Sequence, residues 1–150
     1  MGKVTPHKQS KWLLEVNGVD VATFQTINLP EKTIETAEHV EGDLKIKTPS
    51  LVSVGDMTVG KLINMLEVDT YFNDWFNQVK DTKAGTGGLP SDYERTVRVR
   101  LLDDQNNTTR LYEMTGCYPI SLGSIDLDKT SSDNIIEEMT INVFDYDQVQ

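Results

Sequence analysis

Apolar residues recur at every second position along most of this chain, the period of a half-buried β-strand. Residues 44–48 show it most cleanly: Leu44 and Ile46 share one face, Lys45 and Lys47 the other. Residues 95–102 repeat it, with Val97, Val99 and Leu101 opposite Thr96, Arg98 and Arg100. Residues 11–16 (Lys-Trp-Leu-Leu-Glu-Val) run into Asn17-Gly18. That pair tolerates the positive φ that both central positions of a tight hairpin need, so 19–27 reads as the return strand. Pro30 marks a break, 31–40 alternates weakly around Ile34 and Val40, and Glu41-Gly42-Asp43 is a turn. Residues 51–62 form a further strand region, interrupted at Gly55-Asp56. In the second half, 103–107 is the loop of a hairpin whose return strand is 108–115. Gly116 and Pro119 then break the run, 120–125 is a short strand and 126–134 is polar. Residues 135–144 form the last strand, with Ile135, Met139, Ile141 and Val143 on one face.

One segment changes period. Tyr71, Phe72, Trp75, Phe76 and Val79 fall on one face of a helix spanning about residues 69–82. Asp69 or Thr70 can cap its start, and Lys80 suits its end. The aromatic stripe is suited to core packing more than to a ligand pocket. Lys83, Gly85, Thr86, Gly87, Gly88 and Leu89 follow in a Gly-rich stretch. No strand leads into it and no Gly-Lys-Ser/Thr follows, so it reads as a surface loop and not a phosphate cradle. The expected fold is mainly β: a β-sandwich or barrel, single-domain over residues 1–150, with one α-helix plugging one side. Residues 1–10 form a polar arm and 145–150 a C-terminal tail.

Size and charge narrow the function. A chain of 150 residues is long enough to bury a core without disulfides or metal, and a single cysteine, Cys117, excludes an intrachain disulfide framework. Acids number 24 and bases 14, giving a net charge of -10, which argues against a free-standing nucleic-acid binder. The imbalance is graded. Lys3, Lys8 and Lys11 lie in the first eleven residues with no acid, whereas ten acids follow from Asp103 onward against Arg110 and Lys129. No apolar run is long enough to span a bilayer, and the polar start lacks the apolar core of a secretion signal.

Catalytic and metal constellations do not emerge. His7 and His39 stand apart from any metal-ligand spacing. Cys117 has no base near it in sequence and reads as a small buried residue. Asp126-Leu-Asp128 and Asp145-Tyr-Asp147 lack the spaced ligands, glycine and terminal glutamate of a calcium loop. Glu137 and Glu138 point to opposite faces of a strand. The expectation is no enzyme, no cofactor and no metal.

Taken in order, the segments resemble the tail tube proteins of contractile-tailed bacteriophages and the related inner tubes of phage-like injection particles. The resemblance covers roughly residues 12–146. Trp12 to Val16, Asn17-Gly18 and Phe24 are similar to that family's opening hairpin, and Glu41-Gly42 to its turn before a long hairpin arm. Trp75 falls on its single helix; Arg95 to Leu102, Asp103-Asp104 and Arg110-Leu111 resemble its late hairpin. Gly116-Cys117-Tyr118-Pro119 resembles a small-residue, aromatic, proline step, and Ile135 to Ile141 the closing strand. Two departures are Ser50, where the family carries Gly, and Lys61-Leu62-Ile63 in place of Lys-Arg-Gly. They leave open a tube-end or baseplate paralogue.

The resemblance implies a subunit that closes with others into six-fold ring barrels, stacked as a hollow tube inside a sheath, with DNA passing through the lumen and not bound specifically. Implied partners are further copies of the chain, the sheath, the tape measure, the baseplate and the tail terminator. The implied location is the virion tail, assembled in the host bacterial cytoplasm, with no membrane anchor. Contact with the neighbouring ring is expected at the loop 83–94 (Lys83, Gly85 to Leu89), and further contacts at the arm (Lys3, Lys8, Lys11), at the tail and at the hairpin (Glu41, Gly42, Asp43, Lys45, Lys47), with Tyr71, Phe72, Trp75 and Phe76 packing the helix. The rival readings are the inner tube of a secretion or extracellular injection system, a ligand-binding β-barrel with a pocket at Trp12 or Trp75, and a small β-barrel enzyme.

Overall fold

The alternating segments pair antiparallel around one long shared strand. The computed structural model describes residues 5–6, 8, 11–17, 19–20, 24–63, 70–81 and 83–150. In chain order its elements are β1 (Trp12–Val16), β2 (Val19–Asp20), β3 (Phe24–Asn28), β4 (Lys32–Glu41), β5 (Leu44–Val54), β6 (Met57–Leu62), α1 (Tyr71–Val79), β7 (Lys80–Asp81), β8 (Thr86–Gly87), α2 (Pro90–Tyr93), β9 (Arg95–Leu102), β10 (Thr108–Leu122), β11 (Ile136–Asn142) and β12 (Asp145–Gln148). The main sheet runs β2-β1-β9-β10-β11-β6-β3, with β12 also on β10. Among the described residues, β4 and β5 pair only with each other, as do β7 and β8.

β10 joins the two halves. Its first part pairs with β9 and β12, and its last part, from Tyr118, pairs with β11. The alternation of β1 and β9 sends Leu14, Val16, Val97 and Val99 inward. They meet Phe24, Met57, Val59, Met139, Ile141 and Val143 from the other half, and Phe72 and Trp75 from α1, in one core. Each such side chain, fully buried, contributes about 1.5–3 kcal/mol. The polar face of β9 is neutralised across strands: Arg100 donates to Glu15 and Arg98 to Glu113 at 3.0 Å. Mainly β architecture is thus what the alternation predicts.

Several boundaries differ from expectation, each for a visible reason. The expected return strand 19–27 is split: β2 pairs with β1, whereas β3 pairs with β6 at the far end of the sheet. Asn17 has a φ of 52°, as the hairpin turn requires; Gly18 lies outside the described residues. Gly116 and Pro119 do not break β10. The register shifts between Met114 and Cys117 and again between Pro119 and Ser121. Bulges there absorb the positive φ of Gly116 and the missing amide of Pro119. The tail is not loose, because Asp145–Gln148 is β12 and Tyr146 stacks on Tyr112 at 5.7 Å.

The helix is shorter than 69–82. Lys80 leaves helical backbone and begins β7. Thr70 occupies the N-cap, but its hydroxyl donates to the Asp74 carboxylate at 2.7 Å instead of accepting a backbone amide. Asp69 lies outside the described residues. A second, four-residue helix, α2, follows the Gly-rich stretch, so the single expected helix becomes two. That stretch is a small hairpin, β7 to β8. The Asp81 carboxylate accepts from the amides of Lys83 and Ala84, and the Asp81 carbonyl accepts from the amide of Gly85.

Candidate functional site

The most exposed regular structure is the β4–β5 hairpin. All ten residues of β4 are exposed, and on β5 only Ile46 and Val54 are half-buried. Its length follows from sustained pairing, Lys32 opposite Val54 through to Glu41 opposite Leu44. The turn at Glu41-Gly42-Asp43 closes through Gly42, with φ of 62°. The hairpin is held at its base, where the Gly55 amide donates to the Glu31 carbonyl at 2.7 Å and Lys32 Nζ to the Tyr146 carbonyl at 2.8 Å. Beyond that base, Val40, Leu44, Leu51 and Val52 face solvent, Leu51 at 70% exposure. Lys47 lies 3.7 Å from Glu38 directly across the pair, an exposed contact worth little. Lys45 stands opposite Val40. A two-stranded ribbon alone in water is marginal, and unpaired edges beside exposed apolar side chains form a template for another chain.

A second exposed feature is the β7–β8 hairpin. Lys83, Gly85, Thr86, Gly87, Gly88 and Leu89 are all exposed. Gly88 has a steric reason: a Cβ there would run into the Gln78 carbonyl oxygen. Its amide donates to the Val79 carbonyl at 3.1 Å, which ties the hairpin to the end of α1.

The described part of the arm lies at one end of the sheet. The Leu102 amide donates to the Lys11 carbonyl at 3.0 Å. Thr5, Pro6, Lys8 and Lys11 line a cleft of about 420 Å³ with Asp103, Asp104 and Thr109. Lys8 and Lys11 are thereby set beside acids of their own β9–β10 turn. Lys3 and His7 lie outside the described residues.

Phe72 and Trp75 of the helix are buried in the core and Tyr71 packs against it, whereas Phe76 is half-buried; Trp75 is 1% exposed. The pocket imagined at Trp75 is therefore filled by protein. Arg95, which periodicity did not single out, stacks 4.7 Å from the Trp75 ring and donates to Tyr71 Oη and Gln78 Oε1. Burial raises the Tyr71 phenol above its ordinary value, against the lowering effect of Arg95. Lys61, 2% exposed, places its ammonium 4.5 Å from the Phe72 ring. Cys117 is buried, and burial pushes its thiol up to about 12, so it is not a thiolate nucleophile. Asp128 accepts from the amide and hydroxyl of Thr130, which lowers its carboxyl, and its acidic loop closes on itself. Among the described residues no three His, Cys, Asp or Glu side chains come together as a metal site.

The model of the family described as T4-like virus tail tube protein gp19 matches residues 8–146. The chain belongs to that family. Its members are structural tube proteins. Solved structures share the fold at low identity. A chain of the anti-feeding prophage cap, the tube-terminating cap, superposes with a TM-score of 0.84 at 14% identity, covering 99% of this chain and 93% of that one. A chain of the sheath/tube terminator of an extracellular contractile injection system in the extended state gives 0.83 at 16%, covering 99% and 100%. A chain of the sheath–tube complex of such a system gives 0.79 at 18%, covering 95% and 90%. No curated protein matches. For a tail tube protein the signal that periodicity does reveal is the alternation of 44–48 and the turn at Glu41-Gly42-Asp43; what it misses is the exposure of the hairpin and the Arg95 clamp, because an arginine in a strand carries no mark of the aromatic side chains it will meet.

Proposed function

We propose that this tail tube protein closes into six-fold rings that stack head to tail as the hollow inner tube of a contractile tail, within a sheath. DNA passes through the lumen during ejection. The observation that carries this reading is the β4–β5 hairpin, which leaves Leu51 and Val52 exposed and, among the described residues, pairs with nothing but itself. Pairing with a neighbouring copy removes both the edges and the apolar exposure. Head-to-tail stacking of identical rings does not close and yields a filament. The net charge of -10 suits a conduit, because negative walls do not hold phosphates. The tape measure, baseplate, tail terminator and sheath are the partners of that assembly, which forms in the host bacterial cytoplasm and resides in the virion tail. The contact segments are the hairpin around Glu41 to Lys47 and the loop from Lys83 to Leu89.

A second reading is a tube-end subunit. It is supported by superposition: the chains from the cap and terminator structures score 0.84 and 0.83, against 0.79 for the sheath–tube complex. Negative-stain electron microscopy of the concentrated protein separates the two. Tubes of even width and indefinite length are expected of a tube subunit, single unstacked rings of a terminator. A uniform monomer at every concentration would sink both.

A further inference from the structure

The β4–β5 hairpin leaves the body of the subunit through a narrow neck. Pro30, buried and with its φ fixed by the ring, leads into it. Gly55, whose amide donates to the Glu31 carbonyl at 2.7 Å, leads out of it. Val54 packs against the edge of the core. Beyond the neck, among the described residues, one hydrogen bond joins the hairpin to the main sheet: Lys32 Nζ donates to the Tyr146 carbonyl at 2.8 Å. That acceptor is well fixed. Tyr146 stands opposite Met114 in the β10–β12 ladder, and its ring stacks on Tyr112. The Tyr146 amide donates to the Asp145 carboxylate at 2.9 Å, so both main-chain groups of Tyr146 turn away from β10, toward the outer edge of β12. Asp145 and Asp147 flank the carbonyl in sequence and add a negative field that favours an ammonium there.

We propose that Lys32 is the positioning residue of this hairpin: from its anchor on the C-terminal strand it sets the angle at which the ribbon leaves the sheet. The lever is long. Lys32 opposite Val54 is the first pair of the ribbon, and the ten residues of β4 carry the Gly42 turn about 33 Å beyond it. A tilt of about 10° at the neck then moves the turn by about 6 Å, which exceeds the strand spacing of about 4.8 Å and is enough to miss a partner edge. A ribbon held at two chain crossings, with every residue of β4 exposed, has that freedom. The Lys32 contact, at the root of the ribbon, restricts it. An ammonium–carbonyl hydrogen bond at an exposed site shifts such an equilibrium several-fold without making it all-or-none. The latch therefore tunes how the hairpin is presented, and β12 becomes part of that presentation although it lies 114 residues away in the chain. The consequence for assembly rests on the reading of the hairpin as a contact between copies; the latch itself does not.

Pulsed electron–electron double resonance on the dilute full chain tests the latch without any assembly. Nitroxides at Lys45→Cys on the hairpin and Ser121→Cys on β10 report the angle; both sites are exposed, and the buried Cys117 stays unlabelled. With Lys32 in place, one narrow distance distribution is expected. Lys32→Met keeps the aliphatic stem and removes the donor, and is expected to broaden the distribution about twofold. Lys32→Arg still donates to a carbonyl and is expected to restore the narrow distribution. Both variants replace an exposed side chain, and an unmoved urea midpoint separates loss of position from loss of fold. A distribution that is already broad with Lys32, that stays narrow in Lys32→Met, or that broadens equally in Lys32→Arg overturns the inference. Sedimentation then reads the consequence. The critical concentration for assembly of Lys32→Met is expected to rise about threefold, because fewer copies present the hairpin at the right angle. A broadened Lys32→Met that assembles at the wild-type concentration upholds the latch and sinks the reading of the hairpin as the contact.

Discussion

The indole Nε1 of Trp75 donates a 2.7 Å hydrogen bond to the main-chain carbonyl of Tyr93. The bond runs from the buried face of α1 to the last residue of α2. With Arg95 stacked on the same indole, it fixes the exit of the β7–β8 hairpin to the core. The hairpin is thereby presented from a rigid base, although its own residues are exposed.

Trp75→Phe keeps most of the ring volume and leaves the Tyr93 carbonyl without its donor. A loss of about 1–3 kcal/mol is expected in urea unfolding. Trp75→Ala adds a cavity and is expected to cost about 3–5 kcal/mol.

Stability and assembly should separate at the β4–β5 hairpin. Leu51→Asp with Val52→Asp changes two exposed side chains. The unfolding free energy from urea titration should change by no more than about 0.5 kcal/mol per substitution, while rings and tubes disappear from electron micrographs. A variant that assembles normally would remove the hairpin from the interface.

Two glycines of equal φ should respond differently to alanine. Gly42 has φ of 62° and Gly116 of 63°, but a Cβ at Gly42 meets nothing, whereas one at Gly116 would lie 2.7 Å from Phe144 Cβ. Gly42→Ala carries the left-handed backbone cost alone, about 1–2 kcal/mol, in a ribbon tip. Gly116→Ala adds overpacking of about 1–3 kcal/mol in the middle of β10. Chemical denaturation should therefore rank Gly116→Ala as the more damaging, by about that amount.

The Cys117 thiol ionises near 9.0 when exposed and is pushed to about 12 by burial. The unfolded chain thus releases its proton first as pH rises. The stability from the protonated thiol is complete below pH 9.0 and is lost progressively toward pH 12. Cys117→Ala should flatten that part of the stability curve. At pH 8 the native thiol should resist a disulfide reagent that reacts at once with urea-unfolded protein.

Much of the fold is legible in local pattern. The inward Val97 and Val99, the aromatic face of Tyr71, Phe72 and Trp75, and the buried Met139 and Ile141 follow from periods of 2 and 3.6, because burial of one face imposes those periods. The exposed hairpin and the Gly-rich turn were legible as segments. Their isolation was not, since β4 alternates like any strand and nothing in Ile34 or Val40 says that no second layer covers it.

Local sequence by itself determined most of the extended segments, the turns at Asn17 and Gly42 and the helix α1, because those preferences arise from backbone sterics and neighbouring side chains. Tertiary structure alone decided the partners. It carried β10 through Gly116 and Pro119 by shifting register, split the return of the first hairpin between β1 and β6, and laid Tyr146 on Tyr112. Those outcomes depend on contacts between residues far apart in the chain, whose free energy no local window contains.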